Sequence, residues 1–227
     1  MKTGLLYGIG VGPGDPELLT LKAIITIHDC DMLAVPDSGA ENQLALNIAQ
    51  EHIAKKEIIQ LKMPMTCDKA ELYKSREAAA DTICTKLDMG KSVGFLTLGD
   101  PMLYSTYSYL HKIVISRGYP VKVIPGVTSF CAAAAALGEP LCEGGESLHI
   151  IPALYENMES ALTLDGTKVL MKSGQKLNDI IDHLRANDLN AKIAQRVGMD
   201  GEKLYQSSNN EVETDYFSVL ILKGKAE

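Results

Sequence analysis

Residues 8–17 read Gly8-Ile9-Gly10-Val11-Gly12-Pro13-Gly14-Asp15-Pro16-Glu17, a glycine-rich stretch placed where a short apolar run gives way to a helical pattern. A strand-to-helix turn of this kind can cradle a phosphate with its backbone amides. The details speak against that chemistry. Counted from Gly8, the third glycine of a G-x-G-x-x-G fingerprint falls on Pro13, and counted from Gly10 it falls on Asp15. Asp15 occupies the N-cap position and Pro16 the first turn, so the positive end of the helix already holds a carboxylate and has lost an amide donor. A pyrophosphate would be repelled there. The Gly-Lys-Ser/Thr ending of a Walker-A loop is also missing. Two readings remain for this loop, a capped turn without a ligand and a site for a ligand of a different charge.

Two further loops have similar chemistry. Leu98-Gly99-Asp100-Pro101-Met102-Leu103-Tyr104 follows an apolar run, and its aspartate again precedes a proline. That proline pushes Asp100 towards extended backbone, while Gly99 allows a ligand close to the main chain. Pro125-Gly126-Val127-Thr128-Ser129 offers two hydroxyls at a helix start. Each taken singly can be a helix cap. Their convergence points to function, because loops leaving the carboxyl ends of parallel strands are where open α/β sheets bind ligands. Glycine turns edged with carboxylates suit a nucleoside that bears an amino acid and a net positive charge, and S-adenosylmethionine fits that description.

The elements that must position these loops follow from periodicity. Short apolar runs at 4–9, 31–35, 57–61, 93–98 and 121–124 alternate with helical patterns at 16–28, 41–53, 69–89, 103–117 and 128–137. Strand and helix in alternation predict a mainly parallel five-stranded sheet with right-handed crossovers. The chain changes character at Gly138-Glu139-Pro140-Leu141 and Gly144-Gly145, which marks 138–146 as a linker between an N-terminal domain, 1–137, and a C-terminal domain, 147–227. Strands at 147–151, 168–171, 192–196, 203–206 and 216–222, with helices at 156–163 and 175–186, predict a mixed sheet in the second domain, since the last two strands have no helix between them. The fold class is thus α/β, in two domains.

Composition removes several classes of function. The 227 residues are 46% hydrophobic and 22% charged, an ordinary globular balance with ample core. The net charge of −7 argues against a nucleic-acid partner, whose phosphates call for a basic surface. Five cysteines, Cys30, Cys67, Cys84, Cys131 and Cys142, include no C-x-x-C pair, so they are expected to be reduced thiols. No apolar run reaches the ~18–20 residues of a membrane span, and the first residues lack a signal-peptide pattern. A cytoplasmic protein without a membrane partner is expected.

The segments Val11-Gly12-Pro13-Gly14-Asp15-Pro16-Glu17-Leu18-Leu19-Thr20-Leu21-Lys22-Ala23, Gly99-Asp100-Pro101 and Pro125-Gly126-Val127-Thr128-Ser129, in this order and spacing, resemble the tetrapyrrole (uroporphyrinogen/precorrin) methylase family. Within it, Gly99–Leu110, Ala132–Leu141 and Tyr216-Phe217-Ser218 are similar to the branch that methylates C20 of precorrin-2 or cobalt-factor II in cobalamin synthesis. The resemblance implies two α/β domains with S-adenosylmethionine as methyl donor in a cleft between them, and a homodimer. It assigns donor binding to Pro13, Leu98, Gly99, Asp100, Leu103, Thr128, Ser129, Met171 and Val197. Relatives acting on uroporphyrinogen carry Asp after the second strand, where this chain has Val35-Pro36, which suggests another ring position as target.

Methyl transfer of this type is largely a matter of holding two reactants in line. A polar group is still wanted to accept the meso proton, and the candidates are Asp100, Lys172 and Tyr216. Asp100 has an alternative role as a loop-fixing cap. Tyr104 and Tyr107 read as core packing. Lys22, Arg117, Lys172 and Arg196 are the cations expected to meet substrate carboxylates. The five histidines lack ligand spacing, so no protein-bound metal is assigned. The alternatives are a methylase of the same family with another target (C11, C17 or the uroporphyrinogen C2/C7 pair), and a non-enzymatic nucleotide-binding module.

Overall fold

The computed structural model describes residues 3–37, 40–53, 55–64, 66–153 and 158–224. The chain forms two compact units, Met1–Thr128 and Ser129–Glu227. In the first, five strands alternate with four helices: β1 Leu6–Gly10, α1 Leu21–Asp29, β2 Met32–Pro36, α2 Ala40–Ile48, β3 Glu57–Leu61, α3 Lys69–Asp88, β4 Val93–Thr97, α4 Tyr107–Ser116 and β5 Val121–Ile124. All pairings are parallel and the order is β3-β2-β4-β1-β5. The central strands β2, β4 and β1 are almost wholly buried because helices cover both faces, whereas the edge strands β3 and β5 carry Glu57, Gln60 and Lys122. Ile9 and Leu33 pack with Ala23 and Ile27 of α1 and Ala45 and Ile48 of α2. Leu6 and Phe95 pack on the opposite face with Ala80, Ile83 and Leu87 of α3 and Leu110 of α4.

Two helix starts differ from expectation. The helical pattern at 16–28 is two pieces: Asp15 caps a 3-10 turn at Pro16–Leu18 through the Glu17 amide (2.8 Å), and Thr20 caps α1 through the Ala23 amide (3.1 Å). The pattern at 103–117 becomes helical only at Tyr107, where Ser105 Oγ accepts the Tyr107 amide at 3.1 Å and Tyr104 takes a left-handed φ of 48°. Tyr104 and Tyr107 therefore do not share a helix. Tyr107 is buried core, as expected, but Tyr104 is 45% exposed, because the left-handed turn carries it out of the packed layer.

The second unit begins with α5 Ser129–Leu137, followed by β6 Leu148–Pro152, α6 Met158–Leu162, β7 Thr167–Met171, α7 Leu177–Ala186, β8 Lys192–Gln195, β9 Lys203–Tyr205 and β10 Ser218–Leu222. The sheet is mixed, as expected, in the order β6-β7-β10-β8-β9, with β6 and β7 parallel and the other pairs antiparallel. Leu170, Ile193 and Leu220 pack on one face against Leu177, Ile180, Ile181 and Leu184 of α7. The sequence reading ends the first domain with the alanine helix, whereas by compactness α5 goes with the second unit, because it packs on β8, β9 and β10. Residues 138–146 are tied to the same sheet: Lys192 Nζ pairs with Glu139 at 2.6 Å, and Lys223 Nζ pairs with Glu146 at 2.8 Å and donates to the carbonyls of Pro140 and Leu141. Among the described residues no helix is long and apolar enough to cross a membrane.

Candidate functional site

In the first unit, β1 lies between β4 and β5, and its neighbours' registers pair Gly10 with Thr97 and Ile9 with Ile124. The three glycine loops thus leave the sheet at one level from three adjacent strands. The helices that follow β1 and β4 lie on opposite faces, α1 on one and α4 on the other. Two adjacent parallel strands whose connections part in this way open a crevice at their carboxyl ends, the usual ligand position of a doubly wound sheet.

The loops are fitted to one another without side chains. Gly99 donates its amide to Gly12 O at 2.7 Å and the two residues form an isolated bridge. A Cβ on Gly10 would stand 2.6 Å from both Gly126 N and Gly99 O, and one on Gly126 would overlap Gly99 O. Glycine is required here by the close approach of three main chains. Gly99 has a left-handed φ of 69°, a conformation that favours glycine; the residue is buried, and Val127 O at 4.0 Å is the nearest atom to the position its Cβ would take. Pro13 and Pro101 are buried beneath, and Leu98 and Leu103 are half-buried.

Asp100 is the polar link among these loops. Its Oδ1 accepts the Met102 amide at 2.8 Å and its Oδ2 accepts the Gly126 amide at 3.0 Å, so the carboxylate joins the β4 loop to the β5 loop. Below, Thr97 Oγ1 and Ser105 Oγ share a buried hydrogen bond of 2.9 Å. Tyr107 lies under β1, where the absent Cβ of Gly8 makes room for its ring, and its hydroxyl is 3.3 Å from His111 Nδ1. Burial pushes the Tyr107 phenol well above its ordinary range, so it stays protonated. Thr128 Oγ1 is buried and has no hydrogen-bond partner among the described residues.

In the second unit, β7 and β8 each run antiparallel to β10, so their carboxyl ends share one edge with the start of β10. Half-buried Met171, exposed Lys172, and half-buried Arg196 and Val197 come to that edge, and exposed Tyr216 precedes β10 there. Arg196 donates its backbone amide to Phe217 O and its Nε to Asp200 O, both at 2.9 Å, and its guanidinium lies 3.7 Å from Asp215. Ser129 is the first residue of α5.

The four expected cations separate. Lys22 lies exposed in the first turn of α1, on the carboxyl side of its sheet. Arg117 caps the far end of α4, beside α3, where it pairs with Glu77 at 2.6 Å and Asp81 at 2.8 Å; it does not belong to the loop edge. Among the described residues no three His, Cys, Asp or Glu side chains are grouped to hold a metal ion. Sequence reasoning missed the Thr97–Ser105 pair, the Gly8–Tyr107 contact and the surroundings of Ser173, none of which has a local sequence signature.

A doubly wound sheet with glycine loops meeting at its switch point, together with a smaller mixed-sheet unit, defines a two-unit α/β protein with a crevice at the usual ligand position of such a sheet. The family model for tetrapyrrole (corrin/porphyrin) methylases matches residues 5–213, and the chain belongs to that family. It is 34% identical over 96% of its length to a probable cobalt-precorrin-2 C(20)-methyltransferase of Methanocaldococcus jannaschii, covering 95% of that protein. It is 29% identical over 97% of its length to a precorrin-2 C(20)-methyltransferase of a Sinorhizobium species, covering 96% of that protein. Among solved structures it is similar to uroporphyrin-III C-methyl transferase of Thermus thermophilus complexed with S-adenyl homocysteine, with a TM-score of 0.70 at 21% identity, over 97% of each chain.

Proposed function

We propose that this methylase transfers the methyl group of S-adenosylmethionine to meso carbon C20 of precorrin-2 or cobalt-factor II, in cobalamin biosynthesis. The observation that carries the choice of C20 is the chain-long similarity to two relatives that share that target in their names. Donor binding is supported by the fit of the first unit's loops to a cationic nucleoside. Thr128 Oγ1 is a buried group without a partner among the described residues, and the Asp15 carboxylate at the 3-10 turn disfavours a phosphate. In this reading Pro13, Leu98, Gly99, Asp100, Leu103, Thr128 and Ser129 hold the donor, and Met171 and Val197 of the second unit contribute to it.

Bound S-adenosylmethionine supplies a methyl carbon activated by a sulfonium. The loops hold the donor in line with the acceptor carbon, and such positioning can supply ~7–11 kcal/mol of barrier lowering. Asp100, with both oxygens engaged by amides, serves as a loop clamp rather than as a proton acceptor. That leaves Tyr216 as the polar group for the meso proton, Lys172 being a cation with no lone pair to accept it. Lys22, Lys172 and Arg196 are the cations offered to substrate carboxylates. We further read the protein as a cytoplasmic homodimer; a monomer by light scattering would remove the dimer.

The test is turnover. Given S-adenosylmethionine and either metal-free precorrin-2 or cobalt-factor II, the purified chain should yield S-adenosylhomocysteine and a product heavier by one methyl, assigned to C20 by NMR. A methyl on another carbon would keep the family and reject the target. The ratio of turnover on the two substrates decides whether cobalt belongs to the physiological one.

A further inference from the structure

Residues 172–174 of the second unit, directly after β7, alternate in backbone handedness. Lys172 is left-handed with φ 59°, Ser173 is right-handed with φ −67° and ψ −30°, and Gly174 has φ 52°. Successive residues of opposite hand turn their amides towards one concave side, the arrangement that binds anions in backbone nests. Within it, Ser173 is fully buried, and its Oγ has no hydrogen-bond partner among the described residues. A buried hydroxyl without a partner is destabilising, and native proteins keep few of them. Its retention is accounted for if a ligand oxygen completes it.

The charge around the nest has the matching sign. Lys172 belongs to it, and Arg196 stands at the end of β8 on the same edge, in its own left-handed turn of φ 50°. Arg196 is held by Asp200 O and is 3.7 Å from Asp215, which orients the guanidinium and offsets part of its charge. Arg196 lies two strands from β7, so the donors at the nest are the hydroxyl, the amides and Lys172, a set that fits a carboxylate.

We propose that Ser173, with the nest amides and Lys172, forms a carboxylate-binding subsite that receives an acetate or propionate side chain of the macrocycle. This rests on the tetrapyrrole reading above, which implies a substrate carrying such groups.

Ser173→Ala tests it on the full chain. Because the hydroxyl is unsatisfied in the free protein, the variant should melt at the wild-type temperature or above it. Its affinity for cobalt-factor II, followed by absorbance titration, should fall about 10-fold or more, the worth of one hydrogen bond to a charged group. Calorimetric binding of S-adenosylhomocysteine should be unchanged. A lower melting temperature would show that the hydroxyl is already satisfied, and would overturn the proposal. So would weakened S-adenosylhomocysteine binding, which would assign the hydroxyl to the donor, or unchanged tetrapyrrole affinity. If the wild-type chain turns over the macrocycle while the variant is indistinguishable from it, the subsite alone falls. If the wild-type chain binds no tetrapyrrole, the functional reading falls and takes the subsite with it.

Discussion

Asp100 has a hydrogen bond on each carboxylate oxygen, which supports the loop clamp over proton transfer. Asparagine can keep one of the two amide acceptors, but it turns an NH2 towards the other donor. Asp100→Asn should therefore cost about 1–3 kcal/mol of stability in urea titration. It should weaken S-adenosylhomocysteine binding about 10-fold through the displaced Gly126 loop. Methyl transfer at saturating donor and substrate should stay within about threefold of wild type, and a drop of about 100-fold would return the carboxylate to proton transfer. Thr128 makes the opposite case, since its buried Oγ1 has nothing to lose in the free protein. Thr128→Val should leave stability unchanged or raise it by up to about 1 kcal/mol, yet weaken S-adenosylhomocysteine about 5-fold by calorimetry.

At the scale of elements, β1 and α4 interlock through an absent side chain. A Cβ on Gly8 would overlap the Tyr107 ring, so Gly8→Ala must move either the strand that carries the glycine loop or the helix that follows Asp100. The expected cost is about 1–3 kcal/mol, as for other overpacked cores. Tyr107→Leu alone leaves a void and also destabilises. Combined, the two changes should offset each other, with a favourable coupling of at least about 1 kcal/mol in a double-mutant cycle read by denaturation. Strict additivity would mean that the ring and the strand are not in contact. Local signals were legible at this scale where the chain supplies its own partner, as with the Asp15 cap. They failed at 103–106, where the helix start is set by Ser105, whose hydroxyl also bonds back to Thr97 at the end of β4.

Over the whole molecule, burial sorts the five thiols. Cys67, Cys131 and Cys142 are exposed, while Cys30 and Cys84 are buried. Three thiols should react with an aromatic disulfide at pH 8 in the native state, and the remaining two only on unfolding. Burial, outweighing Lys56 nearby, pushes the Cys30 thiol up from its ordinary 9.0 to about 12. A folded-state value above the unfolded one means stability that is complete below pH ~9 and lost as pH rises from there towards ~12. Cys30→Ala should flatten that alkaline decline in melting temperature. Asp31 has the reverse sign. The Ser92 amide, then the Ser92 hydroxyl and Lys91, hold its carboxyl below 3.8. Its contribution is present above the unfolded value and lost as pH falls through the lowered folded one, so Asp31→Asn should flatten the acid limb below pH ~4.

The sequence by itself determined the class of architecture and the three loops, because apolar runs, glycine turns and capping residues act within a few positions along the chain. Strands alternating with helices permit little besides a parallel first sheet, and the Asp15-Pro16 start argues against a pyrophosphate before any coordinates are known. Tertiary structure alone decided that β1 lies between β4 and β5, since periodicity describes a strand's faces and not its neighbours. From that order come the bond between Asp100 and Gly126, the fit of Gly10 against two other main chains, and the room for Tyr107 beneath Gly8. The hydroxyls of Thr128 and Ser173, unmet among the described residues, belong to the same category, because whether a polar group is satisfied depends on everything that surrounds it in the folded chain.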